Sequence, residues 1–281
     1  MRLRPVQFRN GGVRLQHNTV LSSKDNVNIK RYQKLAASKR ERYADGLFVL
    51  EGVRLVQDAL LEQAQLECLM VTESALEKYP AFLAQADLRE VRLLVISNEL
   101  GAKIAQTEQP QGVFALCRMP RQEDYQPVLY RGGHFLMLHQ LQDPGNLGTM
   151  LRTGEGAGIT AVIMSKKTAD LFNPKTIRST MGSVYRVPFC YVEDLKAVIE
   201  KMHAAGIQTY AAHLQGKNSY TQECYSAKTA FLIGNEGNGL SDEIAALAMC
   251  KIRIPMEGQV ESLNAAVSAA ILMYEAKRQN N

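Results

Sequence analysis

The sequence has few cysteines and no long apolar run, and both absences narrow the kinds of protein that it can encode. The five cysteines, at positions 68, 117, 190, 224 and 250, form no C-x-x-C pair and no cluster with metal-ligand spacing, which argues against disulfides and a zinc site. No apolar run approaches the roughly 18 residues that a membrane helix needs, and the first residues lack the apolar core of a secretory signal. We therefore expect a cytoplasmic protein that needs no metal.

Length and composition are those of a folded protein with more than one domain. The chain has 281 residues, of which 46% are hydrophobic and 22% are charged. This composition is ordinary for globular proteins, and the length exceeds the usual size of a single domain. Two domains, each with its own core, are the first expectation.

Positive charge is concentrated near the N-terminus. The formal net charge is +5, and seven basic but two acidic residues lie between Lys24 and Arg42. Such a cluster binds polyanions through phosphate contacts and counterion release, although a basic helix face is also a common way to keep a protein in solution. For this segment we predict RNA contacts by four side chains, Lys30, Arg31, Lys34 and Lys39.

The first 118 residues predict a tail followed by a small α/β domain, which we place at 26–118. Residues 1–25 are polar, basic and aperiodic, which is typical of a flexible tail. A basic helix is predicted near 26–43, and apolar runs predict strands at 47–50, 66–71, 91–96 and 113–117. Residues 119–130 contain two prolines and no apolar periodicity, which is typical of a linker.

Strand-like and helical stretches alternate from residue 131 to residue 281, which we take as a second domain. The strand-like runs lie at 134–138, 159–164, 187–191, 207–212, 229–233 and 250–254. Alternation of this kind is typical of a mainly parallel sheet with helices on both faces. In such sheets, ligands bind beyond the carboxyl ends of the strands, where loops and helix N-termini meet.

The first of three motifs at this predicted edge is DPGNLGTMLR, at 143–152. Its proline and glycines shape a tight turn, and Asn146 is predicted to cap the helix that follows. Arg152 lies less than two helical turns beyond Asn146, so we expect both side chains to face one cleft.

The other two motifs follow later strands. IGNEGNGLS, at 233–241, contains three glycines that let the backbone approach a ligand closely, and its Ser241 is predicted to start a helix. The segment 254–271 contains Ser262, Leu263 and Asn264 before an alanine-rich helix, and Ser262 has the position of a helix cap. These spacings allow a nucleotide-like ligand, although a glycine-rich turn alone is as often structural.

Taken together, the three motifs resemble those of the SpoU (TrmH) family of RNA 2′-O-ribose methyltransferases. Residues 146–152 match the family pattern N-x-G-x-x-x-R, residues 234–241 match G-N-E-G-x-G-L-S, and residues 254–264 match I-P-M…S-L-N. The resemblance covers roughly 131–281, and the combination is far more specific than one glycine loop. The N-terminal half is similar to the substrate-binding domain of the family.

The resemblance implies methylation of a ribose 2′-hydroxyl in structured RNA with S-adenosylmethionine, and we favour ribosomal over transfer RNA. It also implies a trefoil knot in the C-terminal domain and a homodimer with the active site near the subunit interface. The implied catalytic residues are Arg152, Asn146, Ser262 and Asn264. The implied cofactor-binding residues are Leu214, Gln215, Gly216, Ile233, Gly234, Asn235, Gly237, Ile254, Met256, Leu263 and Ala265.

The roles expected within this set follow from side-chain chemistry. A guanidinium normally stays protonated in proteins, so we expect Arg152 to contact a phosphate or the developing alkoxide while the other catalytic residues orient the ribose. Glu236 is expected to shape the second motif, and a basic partner across the site is the alternative.

Two other functions remain open from the sequence. A doubly wound sheet also suits a nucleotide-dependent oxidoreductase, but the G-x-G-x-x-G fingerprint of dinucleotide binding is missing. A catalytically silent RNA-binding protein with the same fold is the second alternative. The intact catalytic set argues against it.

Overall fold

The chain forms two compact units in the computed structural model, which describes residues 20–85 and 91–280. Unit 1 runs to Pro120 and also contains Phe172–Tyr185. Unit 2 contains Arg121–Leu171 and Arg186–Asn281. Most of the predicted tail, residues 1–25, lies outside the described residues.

Helices and strands alternate along most of the chain. The helices are α1 (Val27–Ala37), α2 (Lys39–Asp45), α3 (Val53–Leu61), α4 (Glu73–Lys78), α5 (Pro80–Gln85), α6 (Asn98–Ile104), α7 (Tyr125–Arg131), α8 (Pro144–Ala157), α9 (Pro174–Thr180), α10 (Leu195–Ala204), α11 (Asp242–Leu247) and α12 (Ala265–Asn280). The strands are β1 (Leu47–Glu51), β2 (Leu66–Thr72), β3 (Arg92–Ile96), β4 (Val113–Arg118), β5 (Gly133–Leu138), β6 (Ala161–Ser165), β7 (Phe189–Val192), β8 (Gln208–Ala212), β9 (Asn218–Ser219), β10 (Lys228–Ile233) and β11 (Cys250–Arg253).

Unit 1 is built on a four-stranded sheet in the order β1-β4-β2-β3. β4 pairs antiparallel with β1 and β2, and β3 pairs parallel with β2. Ile29, Tyr32 and Leu35 of α1 pack with apolar residues of α6 and of all four strands. The four strands predicted for this half are confirmed, because each lies within one residue of its predicted ends.

The basic segment forms two helices where one was predicted. Ser38 is extended between α1 and α2, and its hydroxyl accepts a hydrogen bond from the backbone N–H of Glu41. Arg42 is buried and donates to the carbonyl oxygens of Leu35 and Ala36 at the end of α1. One of the seven basic side chains therefore terminates a helix and lies inside the protein.

The predicted linker 119–130 is partly helical. Asp124 accepts a hydrogen bond from the backbone N–H of Gln126 and so starts α7. Val128 and Leu129 are buried in the core of unit 2. The second half of this segment belongs to a folded unit because its apolar pair packs against the sheet.

Phe172–Tyr185 clusters with unit 1, although the sequence analysis placed it within 131–281. The ring centre of Phe48 on β1 lies 5.1 Å from that of Phe172 and 6.4 Å from that of Tyr185. Burial of the Phe172 ring, together with these ring contacts, explains why the segment associates with a sheet that is distant in the chain.

Unit 2 is built on a seven-stranded sheet in the order β7-β6-β5-β10-β8-β11-β9. Every strand pair described in it is parallel. Helices α7, α10 and α11 share one buried core with the sheet, whereas α12 lies against β10 and packs on α8. The predicted α/β architecture, a parallel sheet flanked by helices, is confirmed.

Six of the strands of unit 2 lie within two residues of their predicted ends. β9 was missed because it consists of two polar residues without an apolar pattern. The trefoil knot stays a prediction. Among the helices of residues 20–85 and 91–280, none is both long and apolar enough to cross a membrane.

Candidate active site

Four neighbouring strands of unit 2 end at one edge of the sheet. In the order β5, β10, β8 and β11, they lead into residues 139–143, 234–241, 213–217 and 254–264. Because the strands are parallel, these four loops emerge together at their carboxyl ends. All three motifs lie at this edge.

The loop 139–143, which we name the β5–α8 loop, has an uncommon backbone conformation. Gln140 has a φ of 55°, in the left-handed region that few side chains adopt. Its N–H donates to Ser165 Oγ at 2.9 Å, and its carbonyl accepts from Asn235 Nδ2 at 2.9 Å. Residues held in this way by their surroundings cluster at functional sites.

Asp143, and not Asn146, caps α8. Asp143 Oδ1 accepts a hydrogen bond from the backbone N–H of Asn146 at 2.7 Å, so Asn146 lies in the first turn. The prediction that Asn146 is the cap is wrong, because Pro144 suits the first helical position and starts α8 earlier. The Asn146 side chain is thereby left for contacts outside its own helix.

Asn146 joins the three motifs through its amide group. Its Nδ2 donates to Glu236 Oε1 at 3.0 Å, and its Oδ1 accepts from Asn264 Nδ2 at 2.9 Å. Glu236 also accepts from the backbone N–H groups of Gln142 and Asp143, both at 2.9 Å. We name Asn146, Glu236 and Asn264 the three-motif network.

The Glu236 carboxylate is stabilised in its ionised form. Partial burial raises its pKa, but hydrogen bonds from Gln142, Asn146 and Asp143 outweigh burial and hold the pKa below its ordinary value. The sequence analysis left a basic partner open as the alternative. The partners found are neutral N–H groups of the β5–α8 loop and of Asn146.

Asn264 caps α12 and reaches Asn146 at the same time. Its Oδ1 accepts from the backbone N–H of Ala266 at 2.9 Å and of Val267 at 3.3 Å. The expectation that Ser262 caps this helix is wrong, because α12 begins at Ala265 and the residue directly before a helix is the one that reaches its first free N–H groups.

Arg152 lies on α8 but outside the three-motif network. A spacing of six residues on a helix of about 3.6 residues per turn places it roughly a third of a turn from Asn146. The shared cleft expected for these two side chains stays a prediction. Arg152 is exposed, and no hydrogen bond or ion pair engages it within residues 20–85 and 91–280. Its guanidinium is available to a molecule from outside the chain.

A cavity of about 330 Å³ opens among the loops that follow β8, β10 and β11, and Glu236 lines it. Ser262 of the predicted catalytic set also lines it. Ten of the eleven predicted cofactor-binding residues contribute to its wall, namely Leu214, Gln215, Ile233, Gly234, Asn235, Gly237, Ile254, Met256, Leu263 and Ala265.

Further lining residues, which the sequence did not predict, lie at the strand ends, in the loops and on α12. They include Ala212, His213, Leu240, Arg253, Ser268 and Leu272. Two of them could have been predicted from helical spacing. Ser268 and Leu272 follow Ala265 by three and seven residues, so they lie on the same face of the helix as this predicted cofactor-binding residue.

Two glycines of the predicted set have a structural reason to be glycine. A Cβ on Gly216 would lie 2.5 Å from the backbone carbon of Ile252, so Gly216 allows its loop to pass close to β11. A Cβ on Gly234 would lie 2.1 Å from the backbone carbon of Gly239. Gly234 therefore permits the tight turn of the second motif itself, and not only the approach of a ligand.

Comparison with known proteins agrees with this arrangement. The model of the SpoU rRNA methylase family matches residues 133–274, and the MRM3-like substrate binding domain matches residues 26–115. The chain belongs to the SpoU rRNA methylase family. A Bacillus subtilis relative, the 23S rRNA (guanosine(2553)-2′-O)-methyltransferase RlmP, is 33% identical over 92% of this chain and 98% of its own.

Solved structures of other SpoU-family proteins have the same fold. The AdoMet-bound rRNA methyltransferase from Sinorhizobium meliloti is 31% identical, with a TM-score of 0.78 over 92% of this chain and 97% of that chain. The AviRb methyltransferase from Streptomyces viridochromogenes, in complex with AdoMet, is 27% identical, with a TM-score of 0.80 over 91% of this chain and 98% of that chain. Membership of this family removes the oxidoreductase alternative.

Proposed function

We propose that this SpoU-family protein transfers a methyl group from S-adenosylmethionine to a ribose 2′-hydroxyl of ribosomal RNA. The observation that carries the proposal is the three-motif network beside the cavity, with the guanidinium of Arg152, which no described residue engages, on the same helix as Asn146. The network requires one side chain from each motif, which a chance glycine-rich turn would not provide.

The cavity suits S-adenosylmethionine in size and chemistry. Its volume of about 330 Å³ lies within the range of small-molecule sites, about 300–1,000 Å³. Ile233, Leu240 and Leu263 supply apolar contacts, and residues 234–239 bring main-chain polar groups to the wall. Bound there, S-adenosylmethionine supplies a methyl group on a sulfonium, whose sulfur leaves as a neutral thioether and needs no acid.

The residues of this chain align and stabilise the attacking oxygen. Asn146 and Asn264 orient the ribose, and Glu236 fixes Asn146 against the β5–α8 loop. Arg152 contacts the RNA phosphate and stabilises the alkoxide that develops as the hydroxyl proton leaves to water. Holding the reacting atoms in line supplies much of the rate enhancement.

Relatives that span nearly the whole chain favour ribosomal RNA as the substrate. Those from Bacillus subtilis and Streptomyces viridochromogenes are named 23S rRNA 2′-O-methyltransferases. Incubating the protein with labelled cofactor and total RNA, and then mapping the label, tests the proposal. We expect the label on a ribose of ribosomal RNA. Label in transfer RNA would favour the alternative substrate. RNA binding without methyl transfer would favour the catalytically silent RNA-binding protein.

Filling the cavity should weaken cofactor binding according to side-chain size. Ala265 lines the cavity, so Ala265→Phe should lower the affinity for S-adenosylmethionine by at least about tenfold, since overfilling a packed site costs roughly 1–3 kcal/mol. Ala265→Ser, which differs little in size, is the control and should bind almost normally. Calorimetry measures both. Equal binding by the Phe variant and the wild type would place the cofactor elsewhere.

The RNA-contacting surface that we propose for unit 1 consists of Lys30, Lys34 and Lys39. These three side chains are exposed on α1 and α2. Arg31, the fourth residue predicted from the sequence, pairs with Asp45 at 2.8 Å and with Glu67 at 2.9 Å. We therefore assign Arg31 to the stability of unit 1. Lys30 also pairs with Asp25, at 2.7 Å, but both of these side chains are more than half exposed, so the pair is weak in solvent and Lys30 stays with Lys34 and Lys39 as a phosphate contact.

Replacing these lysines should reduce the salt dependence of RNA binding. Each phosphate contact contributes close to one unit to the slope of log K against log salt concentration, because counterions are released. Lys30→Gln, Lys34→Gln and Lys39→Gln together should flatten the slope by about 2 to 3, while cofactor affinity stays constant. Lys78→Gln, an exposed lysine on α4, is the control. A slope that does not move would identify the lysines as a solvated face.

The homodimer expected from the resemblance is also part of the proposal. Val267 and Tyr274, seven residues apart on α12, share one helix face and are 47% and 49% exposed. Large apolar side chains exposed on one face are typical of subunit interfaces. The cytoplasmic location expected from the sequence is likewise kept as part of the proposal.

A further inference from the structure

Residues 165–186, which we name the crossover, leave unit 2 and return to it. After β6 the chain enters unit 1 at Phe172, and it re-enters unit 2 at Arg186, shortly before β7. The proposed catalytic roles do not account for this path. Both of its ends, however, contact the part of unit 2 that carries Asn146 and Arg152.

The first end of the crossover holds the β5–α8 loop. Thr168 is only 2% exposed, and its buried hydroxyl is satisfied by a hydrogen bond. Three hydrogen bonds run between the crossover and the loop: Gln140 N to Ser165 Oγ at 2.9 Å, Ala169 N to Leu141 O at 2.7 Å, and Gln142 Nε2 to Lys167 O at 2.8 Å. Thr168 Oγ1 also donates to the carbonyl oxygen of Leu138, the last residue of β5, at 3.2 Å.

The second end holds α8. Arg186 donates to Glu155 through two atoms, Nε to Oε1 at 2.5 Å and Nη2 to Oε2 at 3.0 Å. Glu155 follows Arg152 by three residues, so it lies on the adjacent turn of the helix. A two-point contact between a guanidinium and a carboxylate fixes direction as well as distance. The turn that carries Arg152 is thereby tied to Arg186.

Between its ends the crossover is fixed within unit 1. Phe172 is 1% exposed and packs against Phe48, as does Tyr185. Gly182 has a φ of 86°, and a Cβ there would lie 2.8 Å from Asp58 Oδ2, so the segment passes close to α3. The contacts of Phe172, Gly182 and Tyr185 therefore hold the middle of the crossover in place within unit 1.

We propose that the crossover sets the position of the Asn146 and Arg152 turns of α8, and that Arg186 is a positioning residue for Arg152. This inference rests on the proposed methyl transfer. Both restraints are contacts within unit 2: the hydrogen bonds of residues 165–169 to β5 and the β5–α8 loop, and the Arg186–Glu155 pair on α8.

The test compares variants of the Arg186–Glu155 pair in the full-length protein. Arg186→Met and Glu155→Gln should lower single-turnover methyl transfer by about tenfold, the scale of a small misplacement, with the affinity for S-adenosylmethionine within about twofold of wild type. The charge-exchanged double variant Arg186→Glu with Glu155→Arg should recover most of the rate. Arg278→Met, which removes another two-point pair, with Glu275 on α12, is the matched control and should transfer normally.

A second measurement does not need activity. Hydrogen exchange of the peptide covering 139–156 should be faster in Arg186→Met and in Thr168→Val than in Arg278→Met, because the loop and α8 lose their restraint. Any one of three results would overturn the inference: methyl transfer by Arg186→Met at the wild-type rate, no recovery of the rate in the charge-exchanged double variant, or hydrogen exchange over 139–156 that does not change. If no RNA is methylated by the wild type, the proposed function fails, and hydrogen exchange alone decides whether the crossover restrains α8.

Discussion

Replacing Arg152 with alanine is expected to lower single-turnover methyl transfer by at least about a hundredfold, the scale of one lost charge-stabilising group. Arg152 is exposed and unengaged within the described residues, so its removal leaves no buried partner without a contact. The fold and the cofactor affinity should therefore persist. Rapid-quench measurement with saturating RNA, beside calorimetry of cofactor binding, gives both quantities.

Two comparisons separate this role from a structural one. Arg152→Lys should recover little activity, because an ammonium lacks the planar fork that can hold a phosphate and an alkoxide together. Arg121→Ala, which removes an exposed arginine elsewhere in unit 2, should leave transfer unchanged. If Arg152 instead braces the proposed dimer, the alanine variant would dissociate in sedimentation while each intact dimer still transfers methyl groups. Near-normal transfer by a stable variant would remove Arg152 from the mechanism.

Replacing Glu236 with glutamine is expected to cost roughly a hundredfold in methyl transfer. The carboxylate accepts three hydrogen bonds, from the N–H groups of Gln142 and Asp143 and from the Asn146 amide. A glutamine amide brings its own N–H towards these donors and leaves at least one unsatisfied. The β5–α8 loop and Asn146 should then lose their alignment together.

A matched control for this variant is Glu243→Gln on α11. Glu243 pairs with Lys196 at the surface of the same unit, so its loss removes an equal charge without touching the network. Hydrogen exchange over 139–143 should rise in Glu236→Gln and stay constant in Glu243→Gln. Equal rates of methyl transfer in the two variants would show that Glu236 acts only through its negative charge and not through its hydrogen bonds.

The low pKa of Glu236 also predicts a pH dependence. Its folded-state pKa lies below the ordinary value of 4.5, so the stabilisation by its hydrogen bonds is fully present above that value. This stabilisation is lost as the pH falls through the lowered pKa. Protection of the 139–143 amides should therefore be constant from pH 7 to pH 5, and a loss within that interval would contradict the assignment.

Local patterns in the sequence determined the strands and the edge where the site lies. Apolar runs such as 134–138 and 229–233 predict strands because burial on both faces needs consecutive apolar residues. The motifs follow these runs directly, so the rule for parallel sheets brings them together without knowledge of any contact. The individual lining residues of the cavity, by contrast, were named from the resemblance to the SpoU family and not from these patterns.

Only the tertiary structure decided what the individual polar side chains contact. Asn146 meets Glu236 and Asn264 across separations of 90 and 118 residues, and no local pattern records such pairs. The loss of Arg31 to ion pairs likewise depends on a distant partner, Glu67. Secondary structure follows from periodicity that neighbouring residues share, whereas hydrogen bonds and ion pairs depend on the few ångströms of separation that packing of the whole chain sets.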